Sequence, residues 1–433
     1  MSSREGDGVD VIRIEGGHRV TGEVTVEGAK NSALKLMAAT ILAPGVNTLT
    51  NVPNIADVHV MGKVLKRLGA KIDVIDEHTL RIDTSSVESW VTPYELVAQM
   101  RASTAVLGPL LGRFGKATVA MPGGCNIGAR KIDMHILGLQ ALGVDFDLDH
   151  GDINATTPHG LSGTTVTLDF ASVGATENLM MASVRAKGTT VIDNAAREPE
   201  IVDLANLLNE MGAKVKGAGS PVVEIEGVAE LHPVTHEVVG DRIEAGTFIA
   251  TAGLAGDPIE VKGFDPAHLG LVLRKYEQMG ITIERRERGV LAWREGPIGS
   301  VDIQTLPFPG FPTDMQAQTM CLLALGSASC VITENVFENR FMFASELQRM
   351  GAEIRIEGHH AIVHGVPGFS GAQVKSPDLR GGAALVMAGL VADGITVVSD
   401  IYHIDRGYER FVEKLQALGA SIERATVPDS AIL

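Results

Sequence analysis

One five-residue phrase recurs six times and constrains the fold more than any other feature of the chain. It consists of a bulky apolar residue, Gly, a small or branched residue, a variable one, and a β-branched or aromatic one. The copies run from Leu68 to Ile72, Leu142 to Phe146, Met211 to Val215, Met279 to Ile283, Met350 to Ile354 and Leu418 to Ile422. Their glycines stand 74, 69, 68, 71 and 68 positions apart, so one supersecondary unit is used six times. Each phrase reads as the end of an amphipathic helix, a glycine able to take positive φ at the C-terminal cap, and the start of a strand.

A second segment precedes each of these glycines by about 40 residues, with a polar or charged start and then a run rich in Ala, Gly, Leu and Met. The six begin at Lys30, Arg101, Ser172, Asp241, Thr313 and Asp378. Helices this apolar and small-sided must be buried on nearly all sides. A buried helix still presents four N–H groups and a partial positive charge at its N-terminus, so a cluster of such ends is a natural anion site. Lys30, Arg101, Arg242 and Arg380 add full charges at those ends.

Each repeat thus reads as buried helix, strand, amphipathic helix, strand. The inner strands include Thr189 to Ile192 and Ile395 to Val398, each behind a glycine (Gly188, Gly394) that ends the buried helix. Val11 to Glu27 is a strand pair with no helix of its own and must join a sheet elsewhere. The irregular stretch Gly227 to Gly240 separates repeat three from repeat four. Six repeats in 433 residues divide into two groups of three. The expected domains are 1–28 with 239–433, and 29–238.

Hydrophobic residues make up 45%, which excludes disorder as the main state, and aromatics only 4%, which argues against base-stacking surfaces. A net charge of −16 argues against nucleic acid or an anionic membrane as partner. The first twenty residues hold no apolar targeting segment, and no run approaches the roughly 18 apolar residues of a membrane span, so a cytoplasmic location is expected. Cys125, Cys321 and Cys330 give neither a disulfide framework nor a C-x-x-C metal spacing. Cys321 and Cys330 lie in apolar runs and read as buried thiols.

The segment from Met121 to Arg130 holds three glycines and a proline between a strand and a helix, the composition of a mobile lid. A thiol at Cys125 near Arg130 and a helix N-terminus would have its thiolate favoured; the plainer alternative is an incidental cysteine in a glycine turn. Lys30 and Asn31 at a buried helix start suit a phosphate or carboxylate, although lysines are usually solvated. Asp314 is either a helix cap or, at the same repeat phase as Lys30 and Arg101, a base toward a hydroxyl. Arg130, Arg340 and Arg406 share one repeat phase and read as a clamp for an anion, with surface ion pairs as the competing reading and Arg410 as an example of it. The P-loop, dinucleotide and H-E-x-x-H signatures are missing, and His359-His360 reads as a turn.

Pro122-Gly123-Gly124-Cys125 with Ile127 to Arg130, Gly28 to Asn31, Ala195 to Glu200, Phe311 to Gln316 and Tyr402 to Tyr408 closely resemble the UDP-N-acetylglucosamine 1-carboxyvinyltransferase family, over Val11 to Arg424. The resemblance implies an α/β protein, an inside-out α/β barrel of two three-repeat domains with substrates in the cleft between them. It implies transfer of the enolpyruvyl group of phosphoenolpyruvate to the 3′-hydroxyl of the sugar nucleotide, without metal or organic cofactor. Cys125 then resembles the lid cysteine, a general acid open to alkylation by fosfomycin-like epoxides. Lys30, Arg130 and Arg406 resemble anion-binding groups, Arg340 and Arg380 line the same pocket, Asn31 orients the substrate, and Asp314 resembles the base. Sugar-nucleotide contacts are expected at Arg101, Arg130, Lys131, Ile132, Asp133, Met134, Ser172, Val173, Gly174, Asp314 and Val336. Lys131 stands where the family commonly has proline, and Gly381-Gly382 where small polar residues follow the arginine. Two alternatives are a 5-enolpyruvylshikimate-3-phosphate synthase, whose family lacks the Pro-Gly-Gly-Cys lid, and a catalytically silent sugar-nucleotide-binding paralogue, against which the retained Cys125, Lys30, Asp314 and Arg406 argue.

Overall fold

A computed structural model describes residues 8–92, 94–99, 101–120, 132–149 and 151–428. All six phrase glycines have positive φ, between 88° and 111°. Each follows an amphipathic helix: Ala56–Leu68, Asp133–Ala141, Pro199–Glu210, Gly270–Gln278, Ala344–Arg349 and Phe411–Ala417. Strands then start at Lys71, Asp145, Lys214, Ile281, Glu353 and Ser421. At Gly69 the requirement for glycine is twofold, because a Cβ would also come within 2.6 Å of the Ser86 carbonyl oxygen.

The core helices of the six repeats are Lys30–Ala39, Leu107–Phe114, Val173–Ser183, Arg242–Ala255, Gln316–Ala324 and Leu379–Leu390. They are buried along most of their length, as their small side chains require. In Arg242–Ala255 every residue from Arg242 to Leu254 is buried. Gly253 costs that helix about 1 kcal/mol against alanine. It is retained because Ile281 Cδ1 lies 2.3 Å from where a Cβ would be.

The glycines before the inner strands play a different part from the one expected. The core helices of repeats three and six reach their C-caps at Val184 and Val391. Gly188 and Gly394 come later, with φ of 87° and 91°, in the turn that feeds the strand.

Among the described residues five four-stranded sheets and one three-stranded sheet result, one per repeat. In each four-stranded sheet the inner strand runs parallel to a lead strand on one side and antiparallel to a hairpin strand on the other. The N-terminal strands supply what two repeats lack. Gly22–Thr25 is the lead strand beside Ile259–Lys262, and Val9–Glu15 takes the hairpin position between Ile395–Ser399 and Ser421–Val427. They therefore join two different sheets rather than pairing with each other. The irregular stretch after repeat three likewise contributes Thr235–Glu237 as the lead strand of repeat one, parallel to Val46–Thr50.

The chain forms two compact units, one of residues 8–26 and 241–428, the other of 27–120 and 132–240. Each has its own aliphatic core of three core helices and the apolar faces of their sheets. Among the described residues no helix is long and apolar enough to cross a membrane.

Candidate active site

In the unit built from repeats four to six, the chain enters the core helix Gln316–Ala324 through a 3-10 turn, Thr313–Met315. Pro312 occupies the N-cap position, so Asp314 does not serve as the cap. Its carboxylate is held between two guanidiniums instead: Oδ1 lies 2.9 Å from Arg340 Nη2 and Oδ2 lies 3.2 Å from Arg380 Nη2. Both arginine side chains are 3% exposed, Asp314 25%. The two buried cations thus share one carboxylate, and Asp241 adds a second negative charge in support of Arg380.

Arg380 is the second residue of the core helix of repeat six, whose cap Asp378 accepts from the Arg380 and Gly381 N–H groups through its carboxylate. Its guanidinium lies 5.3 Å from the centre of the Tyr408 ring. Burial works against the charge, but Tyr408, Asp314 and Asp241 outweigh it and hold Arg380 above its ordinary pKa. Its Nε and Nη1 are buried and find no hydrogen-bond acceptor among the described residues. Spare donors on a buried guanidinium are what an oxyanion satisfies.

Arg340 lies 5.7 Å from the Phe337 ring. Glu334 connects this region to Val336: one carboxylate oxygen accepts from the N–H groups of Val336 and Phe337 and from Thr305, the other from the Thr313 hydroxyl beside Asp314. Arg406 is half-buried at the C-cap of the short helix Tyr402–Asp405. Burial and then the Arg406 charge lower the pKa of His403.

In the other unit Lys30 is the first residue of its core helix, and its ammonium lies 2.9 Å from Asp57. Asn31 follows, half-buried, with its carbonyl accepting from Lys35. Lys35 reaches Glu177 at 3.0 and 3.2 Å. Full burial raises the Glu177 carboxyl to about 7 against the pull of Lys35, with Glu200 and Glu198 adding to the rise.

Ser172 caps the core helix of repeat three by accepting from Ala175 N–H. Gly174 lies against the His135 ring, which would be 3.1 Å from a Cβ at that position. The expected contact segments Ile132 to Met134 and Ser172 to Gly174 are thus neighbours. Burial, then Lys35, lower His135 to about 4, and its Nδ1 lies 3.0 Å from the Asn178 amide nitrogen.

Arg101 opens a 3-10 turn, Arg101–Val106, although its side chain is outside the described set. Cys125, Arg130 and Lys131 lie outside the described residues. Cys321 and Cys330 are buried, as expected, and burial lifts both thiols, Cys330 to about 12.

The sequence reading missed the carboxylate partners Asp57 and Glu177. Asp57 had a weak signal, an acidic residue in a helix first turn. Glu177 had none, since its partner is set by packing between repeats.

The profile of the family EPSP synthase (3-phosphoshikimate 1-carboxyvinyltransferase) matches residues 14–415. The enolpyruvyl transferase NikO from Streptomyces tendae superposes with a TM-score of 0.88 at 26% identity, over 97% of this chain and 100% of that one. EPSP synthase from Acinetobacter baumannii shares the fold, with a TM-score of 0.73 at 18% identity over 96% and 100% of the two chains. Repeats, fold and profile define an enolpyruvyl transferase. Among relatives, UDP-N-acetylglucosamine 1-carboxyvinyltransferase 2 of Carboxydothermus hydrogenoformans is 53% identical over 95% of this chain and 99% of its own. UDP-N-acetylglucosamine 1-carboxyvinyltransferase of Mycobacterium tuberculosis is 50% identical over 95% and 98%. The chain belongs to the UDP-N-acetylglucosamine 1-carboxyvinyltransferase family.

Proposed function

We propose that the chain transfers the enolpyruvyl group of phosphoenolpyruvate to the 3′-hydroxyl of UDP-N-acetylglucosamine and releases phosphate, the first committed step of peptidoglycan synthesis. The observation that carries this reading is Asp314 between two buried arginines, one with unused donors, in a chain whose relatives bear that reaction's name. The two units then correspond to the two substrate-binding domains. With both substrates small metabolites of the cell interior, the location is the cytoplasm.

Chemically, Cys125 gives a proton to the methylene carbon of the enol, leaving an oxocarbenium-like carbon beside the carboxylate. The sugar oxygen attacks that carbon while Asp314 accepts its proton. The bond to the phosphate oxygen then breaks, phosphate departs, and the Cys125 thiolate takes a proton back from the methyl group, which restores the double bond. Lys30, Asn31, Arg130, Arg340, Arg380 and Arg406 hold the carboxylate and phosphate, and fixed cations need no reorganisation as charge develops. Arg101, Lys131 to Met134, Ser172 to Gly174 and Val336 hold the sugar nucleotide.

The test is phosphate release from phosphoenolpyruvate by the unaltered chain beside Cys125→Ala. Release is expected only with UDP-N-acetylglucosamine present and is expected to vanish in the variant. Release independent of the sugar nucleotide, or saturable binding without turnover, refutes the reading.

A further inference from the structure

Asp203 and His236 form a buried polar network that the reaction does not use. Asp203 lies in the helix Pro199–Glu210, and one carboxylate oxygen accepts both the Ser32 hydroxyl and, at 3.1 Å, the Val239 N–H. The other oxygen lies 2.8 Å from His236 Nε2. The second ring nitrogen of His236 lies 2.8 Å from a Glu210 oxygen. With a carboxylate on each nitrogen, only the imidazolium donates in both directions; a neutral ring turns one lone pair toward an anion.

The surroundings of the ring are simple. Asp203 and Glu210 face it from the helix. From the core helix of repeat one come Ser32 and, at the head of the same turn, Lys30, paired to Asp57. The adjoining strand places uncharged Leu49 opposite His236, and Glu237 is exposed on the other face. Burial disfavours the charged ring, but the hydrogen bonds to Asp203 and Glu210 outweigh it and raise the His236 pKa.

Ser32 sits in the first turn of Lys30–Ala39, directly after Lys30 and Asn31. An anchor on Ser32 therefore sets where those two side chains point. We propose that Asp203 and His236 are positioning residues for the anion-binding end of this core helix, so that protonation of His236 and binding of phosphoenolpyruvate at Lys30 and Asn31 favour each other. This rests on the assignment of Lys30 and Asn31 as substrate contacts.

Two measurements test it. The first compares KM and kcat for phosphoenolpyruvate from pH 6 to 9 in the unaltered enzyme and in His236→Gln, so that ionisation of the substrate cancels in the ratio. KM of the unaltered enzyme is expected to climb about 5-fold more than that of the variant, the lower end of coupling between sites. The second follows the His236 ring by nuclear magnetic resonance in the unaltered chain. Because coupling is reciprocal, saturating phosphoenolpyruvate should raise its titration midpoint by about 0.7 pH unit, the same factor of 5. Normal transfer with superimposable KM profiles and an unmoved ring midpoint overturns the proposal alone, and a mere fall in melting temperature in the variant does not support it. Failure of the unaltered chain to transfer overturns both this proposal and the reading of the site.

Discussion

Replacing Asp314 by Asn keeps the shape of the side chain and removes the carboxylate that Arg340 and Arg380 share. At 2.9 and 3.2 Å each ion pair has a gross attraction of about 5 kcal/mol for an effective dielectric near 20. Desolvation of the ions cancels much of this, so the pairs add little net stability over apolar residues; breaking them is another matter. Two cations at 3% exposure would be left facing a neutral amide. Orphaning a buried charge typically costs about 3–5 kcal/mol. In a unit of this size that corresponds to a fall in melting temperature of about 6–20 °C. Removing one orphaned cation should restore part of the loss, so Asp314→Asn with Arg340→Met should be more stable than the sum of the single effects by about 1–3 kcal/mol. Urea unfolding of the four proteins measures that coupling, and phosphate release well below the melting transition measures the separate catalytic effect, a loss of about 10²–10⁴ in turnover if Asp314 accepts the sugar proton. Additive energies, or an Asp314→Asn protein within about 1 kcal/mol of the parent, would refute the account of Asp314 as the shared counter-charge.

Other expectations follow from single features. Gly351→Ala meets nothing closer than Gly368 O at 4.0 Å, so it should cost only the left-handed backbone term of about 1–2 kcal/mol, whereas Gly69→Ala adds the 2.6 Å clash with Ser86 O and should cost more; equal values by urea unfolding would contradict this. Because burial raises Glu177 to about 7, the folded state keeps a proton that the unfolded chain releases from about 4.5 upward, and stability falls across that window as pH rises. Glu177→Gln should flatten this slope, and an unchanged pH profile of unfolding would speak against it. With Cys321 and Cys330 buried and their thiols raised, alkylation of the native chain by an epoxide should map by mass spectrometry to Cys125 alone, while modification of Cys321 before unfolding would contradict the assigned burial.

The repeat was legible because it is local. A helix stop, a positive-φ glycine and a strand start lie within five residues, and all six glycines have the backbone that pattern demands. The core helices were legible from composition, since a run such as Arg242 to Leu254 has no polar face to turn to water. What the sequence concealed depends on which repeat supplies the missing piece. Nothing in Val9–Glu15 says that it completes the sheet of repeat six, or in Thr235–Glu237 that it leads the sheet of repeat one. Both pairings are fixed by chain closure of a unit, a long-range effect without local signature.

The same distinction explains the site. Repeat phase led to Lys30, Arg340 and Arg380 through their place at helix and strand ends, yet gave no hint that Asp57 and Asp314 neutralise them. A cation presented at the end of a buried helix cannot stay dry and unpaired, because desolvation would cost several kcal/mol per ion. Lys30 and Arg380 each meet a carboxylate delivered by another element, and Asp314 is at once that counter-charge and the proposed proton acceptor. Under the proposed reading, an anionic substrate meets cations that already face carboxylates, Lys30 opposite Asp57 and Arg340 and Arg380 sharing Asp314, aided by helix N-termini and by the spare donors of Arg380. Affinity should then depend on oriented hydrogen bonds more than on long-range attraction. Raising ionic strength from about 0.05 to 0.5 M should consequently change KM for phosphoenolpyruvate by less than about 10-fold, and a steeper dependence would show that uncompensated charge dominates the site.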